Sequence, residues 1–161
     1  MVPYHDYQGT NSQGLFLGCV TTDEEAILND LSDGLDDDEG CIALNSLAVK
    51  CAQYYTGIRK IDHSCPYKKD AGENLAYSSW DQERNQFAGF CTKMWYDEGK
   101  TYNYNNPGFS PTTGHFTQLV WVNSQRFGFG YAHVNDYTVG VGLYRPSGNF
   151  RGEYEKNVLR P

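Results

Sequence analysis

The apolar residues of this chain change their repeat along its length, and that change restricts the possible folds more than any other feature. In the first part they recur at three- and four-residue intervals, the mark of helices with one buried face. Thr22 stands three residues before Glu25, a capping-box pattern, and Ile27, Leu28 and Leu31 follow on one face until Gly34 stops the helix. Leu44, Leu47, Ala48, Cys51, Ala52 and Tyr55 predict a second helix ending near Gly57. Ser79 with Gln82 announces a third, whose stripe is Phe87, Phe90, Cys91, Met94 and Trp95. In the last third the period becomes that of strands: Phe116 to Trp121, Phe127 to Val134 and Tyr137 to Tyr144 alternate, and Asn135-Asp136 is a two-residue hairpin turn. Gly128, Gly130, Gly140 and Gly142 within these strands mark close approach of other backbone or of bulky aromatics. Helices first and strands last predict an α+β layered sandwich. Residues 1–21 read as an extended arm, and 22–161 as a single domain, with Asp36 to Glu39 in an acidic loop.

The composition narrows the function classes. A chain of 161 residues with 39% hydrophobic residues fits one core. Its net charge of -7 argues against a nucleic-acid partner, because neutralising phosphates takes a clustered excess of Lys and Arg. The charge is unevenly spread, -10 over residues 1–49 and +3 over residues 50–161. No stretch approaches the roughly 18 apolar residues of a membrane-spanning helix. Gly14 to Val20 is too short for a secretory core segment, so a signal peptide is expected to be either lacking or already removed. Cysteines 19, 41, 51, 65 and 91 are odd in number, which leaves at least one thiol free or intermolecular. None is spaced C-x-x-C, so neither a zinc knuckle nor a thioredoxin-type motif is supported. The acidic run lacks the alternation of a calcium loop.

Four histidines carry what chemistry the chain offers. His5 lies in the arm and His133 in a hairpin strand, whereas His63 and His115 stand at element boundaries, as do Glu73 and Glu98. Two imidazoles and two carboxylates can hold a divalent cation with open positions, or share protons as acid and base. Glu98 continues the apolar stripe of the third helix, where an unpaired carboxylate costs several kcal/mol, on the order of the penalty for any buried lone charge. There is no phosphate-binding glycine loop, and no G-x-S-x-G for a serine nucleophile.

Four segments point to a family. Gly114-His115-Phe116-Thr117-Gln118-Leu119-Val120-Trp121 with Asn123 and Ser124, Gly72-Glu73-Asn74-Leu75-Ala76, Trp95-Tyr96-Asp97-Glu98, and Tyr144, Pro146, Gly148, Asn149 and Phe150 together resemble the signatures of the superfamily of cysteine-rich secretory proteins, antigen 5 and pathogenesis-related 1 proteins, called CAP. The resemblance implies a three-layer α-β-α sandwich with a large central cleft. It also implies a tetrad of His63, Glu73, Glu98 and His115. In such a tetrad the histidines bind a divalent cation, zinc first and magnesium second, while the glutamates orient water. The first-helix motif is reduced to Leu28-Asn29 and Ser32, and Gly142 replaces a family cysteine. With the ending Gly152-x-Tyr154-x-x-Asn157-Val158-Leu159, these departures resemble the branch of Golgi-associated and fungal sterol-binding members. Val2 follows Met1, so the glycine of a myristoylated relative is missing.

Tyr102-x-Tyr104-x-x-x-x-Phe109 is similar to the aromatic loop of the sterol-binding members, and aromatic faces there could cover a flat apolar ligand at about 25 cal/mol per Å². Three functions compete. The first is a non-enzymatic sterol or lipid binder using Tyr102, Tyr104 and Phe109, with the tetrad as a separate cation site. The second is an immune-modulatory or defence protein acting on a protein receptor. The third is a metal-dependent hydrolase or peptidase with Glu73 or Glu98 as general base. The first is the reading adopted. Cysteine content favours secretion, with a cytoplasmic or Golgi-peripheral place as the alternative.

Overall fold

The computed structural model describes residues 9–10, 16–17, 37–79 and 84–161. The predicted helix at 22–34, His5, Cys19 and the Gln82 side of the capping box fall outside them. Within the expected arm, two short strands, β1 (Gly9–Thr10) and β2 (Phe16–Leu17), pair antiparallel. Helix α1 (Asp37–Ile58) then carries the predicted stripe, with Leu44, Leu47, Ala48, Cys51, Ala52 and Tyr55 all buried. It begins inside the stretch expected to be an acidic loop. Acidic residues in a first turn favour a helix through its dipole, so the charge run starts the element instead of preceding it.

After a 3-10 turn at Pro66–Lys68 come β3 (Gly72–Ser78), α2 (Arg84–Asp97) and a second 3-10 turn at Glu98–Thr101. The chain closes with α3 (Gly114–Leu119), β4 (Arg126–Val134), β5 (Tyr137–Arg145) and α4 (Tyr154–Asn157). Asn135, with φ of 56°, and Asp136 turn the β4–β5 hairpin, where Val134 pairs Tyr137. The sheet runs β3-β5-β4, antiparallel throughout.

Alternation along the central strand builds the layers. Val139, Val141 and Leu143 of β5 join Leu75 of β3 and the buried face of α1 in one core. Tyr144 of β5 and Ala76 of β3 join Phe87, Cys91 and Trp95 of α2, Leu119 of α3, and Phe127, Phe129 and Tyr131 of β4 in another. The sheet therefore separates α1 from α2 and α3, the expected α-β-α order. The strand glycines explain the close spacing. A Cβ on Gly130 would strike the backbone of Ala48 in α1, and one on Gly142 would sit 3.0 Å from Phe127 and 3.1 Å from Trp95.

Three expectations are corrected. Phe116 to Trp121 is not a strand: its first four residues lie in α3. Phe116, Thr117, Gln118 and Leu119 are all buried, so the polar residues between the apolar ones mark internal hydrogen bonds and not an exposed face. Thr117 Oγ1 donates to Asn149 Oδ1 at 2.6 Å and Gln118 Nε2 to Ser124 Oγ at 3.1 Å. Strands are also not confined to the end, since β3 precedes α2. On α2 the buried stripe is Phe87, Cys91 and Trp95 at four-residue spacing, while Phe90 and Met94 are 48% and 39% exposed.

Candidate functional site

Glu73 is the second residue of β3, on the side of the sheet covered by α1, and its side chain is 1% exposed. A buried carboxylate is costly unless its oxygens are met by donors. Three groups meet these. Tyr55 of α1 donates its hydroxyl at 3.1 Å to both oxygens, the His63 ring approaches Oε2 through Nδ1 at 2.8 Å, and Lys68 Nζ lies 3.5 Å from Oε2. A carboxylate oxygen accepts, so His63 donates to it from Nδ1 and leaves Nε2 outside the pair. Burial, opposed by the backbone N–H of Cys65 and reinforced by the Glu73 charge, holds the Tyr55 phenol well above its ordinary range, so it remains a donor.

His63 has φ of 63°, in the left-handed region. Its neighbours fix it there. The Asp62 carboxylate accepts from the backbone N–H of Ser64 at 3.1 Å and from the Ser64 hydroxyl, and pairs with Lys60 at 2.7 Å. Cys65 is joined to Cys51 of α1 by a disulfide. Cys91 on α2 keeps a free thiol that is buried, and burial pushes it up to about 12.

The second pair forms at the end of α2. Glu98 Oε2 accepts the backbone N–H groups of His115 at 3.0 Å and Phe116 at 3.2 Å, capping α3, while Oε1 accepts from His115 Nδ1 at 2.7 Å. The carboxylate that the α2 stripe aims inward is thus satisfied by the first turn of another helix. Asn74, next to Glu73 on β3 but turned to the opposite face, donates to the His115 carbonyl at 3.0 Å and to the Tyr144 hydroxyl at 3.1 Å. Adjacent residues of one strand therefore serve both pairs. Tyr55, Lys68 and Asn74 are not among the site residues expected from the sequence. Tyr55 counts there only as core, because its spacing four residues after Cys51 is that of any member of the stripe.

The aromatic loop divides. Tyr102 is buried against Phe116 and Tyr104, with ring centroids 5.7 and 4.9 Å away, and burial raises both tyrosine phenols above their ordinary range. Arg160 lies over the Tyr104 ring and donates to the Tyr104 carbonyl at 3.2 Å. Phe109, by contrast, is 65% exposed. With Pro107, Gly108, Asn149, Gly152 and Tyr154, and with the charged Arg151 and Glu155, it lines a cleft of about 520 Å³. His5 lies outside the described residues, and His133 is in β4 with its Nδ1 2.7 Å from Thr138 Oγ1.

The layered sheet and the paired histidines and glutamates define a class, and comparison with known proteins agrees. The family model of the cysteine-rich secretory protein family matches residues 42–144, and this chain belongs to that family, the CAP superfamily. The human "Golgi-associated plant pathogenesis-related protein 1" is 38% identical over 125 residues, covering 75% of this chain and 79% of its own length. "Protein PRY2" of Saccharomyces cerevisiae is 36% identical over 98 residues, 56% of this chain and 29% of that protein. "Salivary antigen-5" of Dipetalogaster maximus is 31% identical over 127 residues, 73% of this chain and 49% of the relative, so the chain spans under half the length of the latter two. Among solved structures, BmVAL-1 superposes with a TM-score of 0.56 at 25% identity, covering 68% of this chain and 58% of its own. No helix among the described residues is long and apolar enough to cross a membrane.

Proposed function

We propose that this protein is a non-enzymatic carrier of a sterol or similar small hydrophobic molecule, taken up at the cleft beside Phe109. The exposed ring of Phe109 on that cleft carries the reading. An aromatic side chain left in water gains on the order of 25 cal/mol for each Å² that a ligand covers, and a flat ring system is well matched to it. Tyr102 and Tyr104 serve as the base on which the loop rests. The resemblance to the fungal sterol-binding branch supports the ligand class.

The tetrad is a separate cation site in this reading. Its donor set suits a divalent ion held by His63 and His115 through Nε2, since Glu73 and Glu98 already occupy both Nδ1 atoms and orient the rings. Imidazole favours zinc over magnesium, which takes oxygen ligands. Among the described residues no three or more His, Cys, Asp or Glu side chains gather into a metal-binding group, so this reading rests on the donor chemistry of the two imidazoles alone. Zinc hydrolases ordinarily supply three protein ligands. With both carboxylates engaged by donors, neither is free to act as a general base, which favours a binding role over hydrolysis. The Cys51–Cys65 disulfide is the kind of bond that oxidising compartments maintain, which supports a secreted place.

Equilibrium binding of a labelled sterol tests this. The wild-type protein should bind saturably, Phe109→Ala at least tenfold more weakly, and the His63→Ala, His115→Ala double variant as wild type. Absence of saturable binding by the wild type, or unchanged binding by Phe109→Ala, would overturn the proposal.

A further inference from the structure

We infer that Tyr55 is a positioning residue for the His63 half of the site, and that its hydroxyl, not the neighbouring disulfide, sets the orientation of the His63 ring. The hydroxyl bridges Glu73 and the backbone of the His63 loop. It donates to Glu73 at 3.1 Å from either oxygen, Oε1 having no other donor among the described residues, and accepts the backbone N–H of Cys65 at 3.0 Å. His63 and Lys68 both approach Oε2. Without the hydroxyl, Oε1 is a charged oxygen at 1% side-chain exposure with its donor gone, and the carboxylate has reason to turn toward Lys68 or toward water. Either turn moves the acceptor away from His63 Nδ1.

The same atom fixes the other end of the pair. Cys65 is two residues from His63, and its N–H on the Tyr55 oxygen closes a ring of contacts that runs from Tyr55 to Glu73, to the His63 side chain, along the backbone to Cys65, and back to Tyr55. A non-glycine residue whose backbone sits in the left-handed region is held there by its surroundings. His63 is such a residue, and its side chain is 54% exposed, so packing alone does not restrain the ring. The disulfide joins the same loop to α1, because Cys51 and Tyr55 lie four residues apart on one helix face. It ends on the Cys65 side chain and is hydrogen-bonded to neither Glu73 nor His63. Tyr55 is fully buried, so its hydroxyl is placed by the core and supplies a fixed reference for an exposed ring.

The experiment is nitrogen-15 spectroscopy of the histidine side chains in the intact protein, which reads the nitrogen that carries the proton. In the wild type, His63 and His115 should both show the proton on Nδ1. In Tyr55→Phe, which keeps the ring and removes one oxygen, His63 should shift to a solvent-averaged signature while His115, bonded to Glu98, stays unchanged. In Cys51→Ala with Cys65→Ala, the hydroxyl remains and His63 should keep its wild-type signature. An unaltered His63 in Tyr55→Phe would overturn the inference, as would loss of the signature in the cysteine variant, which would assign the positioning to the disulfide. The second variant decides the matter if Tyr55→Phe does not fold. Zinc alone, titrated by calorimetry, gives a further reading that rests on the cation site proposed above: Tyr55→Phe should bind tenfold or more weakly, as when the partner orienting a ligating histidine is lost. If wild-type protein takes up no zinc, the cation reading fails while the spectra still decide the role of Tyr55.

Discussion

At the scale of single residues, several polar side chains among the described residues hold backbone groups. Glu98 caps α3, Asn149 accepts from Thr117 and donates to the Gly114 carbonyl, and Tyr55 holds the Cys65 N–H. The loop bearing His63 adds a carboxylate whose charge matters. Hydrogen bonds from Lys60 and then Ser64 hold Asp62 down at about 2, against an ordinary 3.8. A carboxyl depressed on folding contributes stability above its unfolded pKa and loses it as pH falls through the folded one. Asp62 should therefore stabilise the loop above about pH 4 and cease to do so near pH 2. Thermal melts of wild type and Asp62→Asn should differ at pH 6, wild type being the more stable, and converge at pH 2. A gap that persists at pH 2 would mean that Asp62 acts through packing and not through its charge.

Elements are positioned by close approach. Helix α1 lies so near β4 that Gly128 and Gly130 face its backbone directly, and no side chain at either position can swing aside. Gly130→Ala should destabilise the protein by about 1 to 3 kcal/mol, the usual cost of overpacking, read as a lower midpoint in urea at unchanged slope. Gly57→Ala, at a helix position with nothing within 4 Å, should leave the midpoint the same or higher. This glycine pattern was legible in the sequence, as were α1, α2 and the hairpin, because each has a face that repeats at its own period. Segments buried on every side were not. In α3 the residues Thr117 and Gln118 are as buried as Phe116, so periodicity carries no information about its type. For β3 the strand appears in the sequence only as the motif around Glu73. The motifs single out His63, Glu73, Glu98 and His115, and the pairing of His63 with Glu73 and of His115 with Glu98 is what the fold adds. Tyr55 could not be separated from the core stripe it belongs to, since a buried aromatic with a working hydroxyl has the spacing of any other apolar residue.

On the scale of the whole molecule, the sheet joins the two cores packed on its faces. Leu44 lies in the core under α1 and Phe87 in the core under α2, and β5 supplies Val141 to the first and Tyr144 to the second. Neither side can lose its packing without exposing a strand that the other side needs. The site depends on the same sharing, because Glu73 and Asn74 reach the two histidine pairs from opposite faces of β3. Leu44→Ala and Phe87→Ala, each costing about 2 to 5 kcal/mol as large-to-small core changes, should therefore lower a single calorimetric transition and not split it. The ratio of calorimetric to van't Hoff enthalpy should stay near one in both variants. The histidine signals of His63 and His115 should vanish together at that transition, although the two rings sit on elements packed to different faces. Two transitions, with His63 released at one and His115 at the other, would show that the layers fold independently and that the halves of the tetrad are joined only in the fully native state.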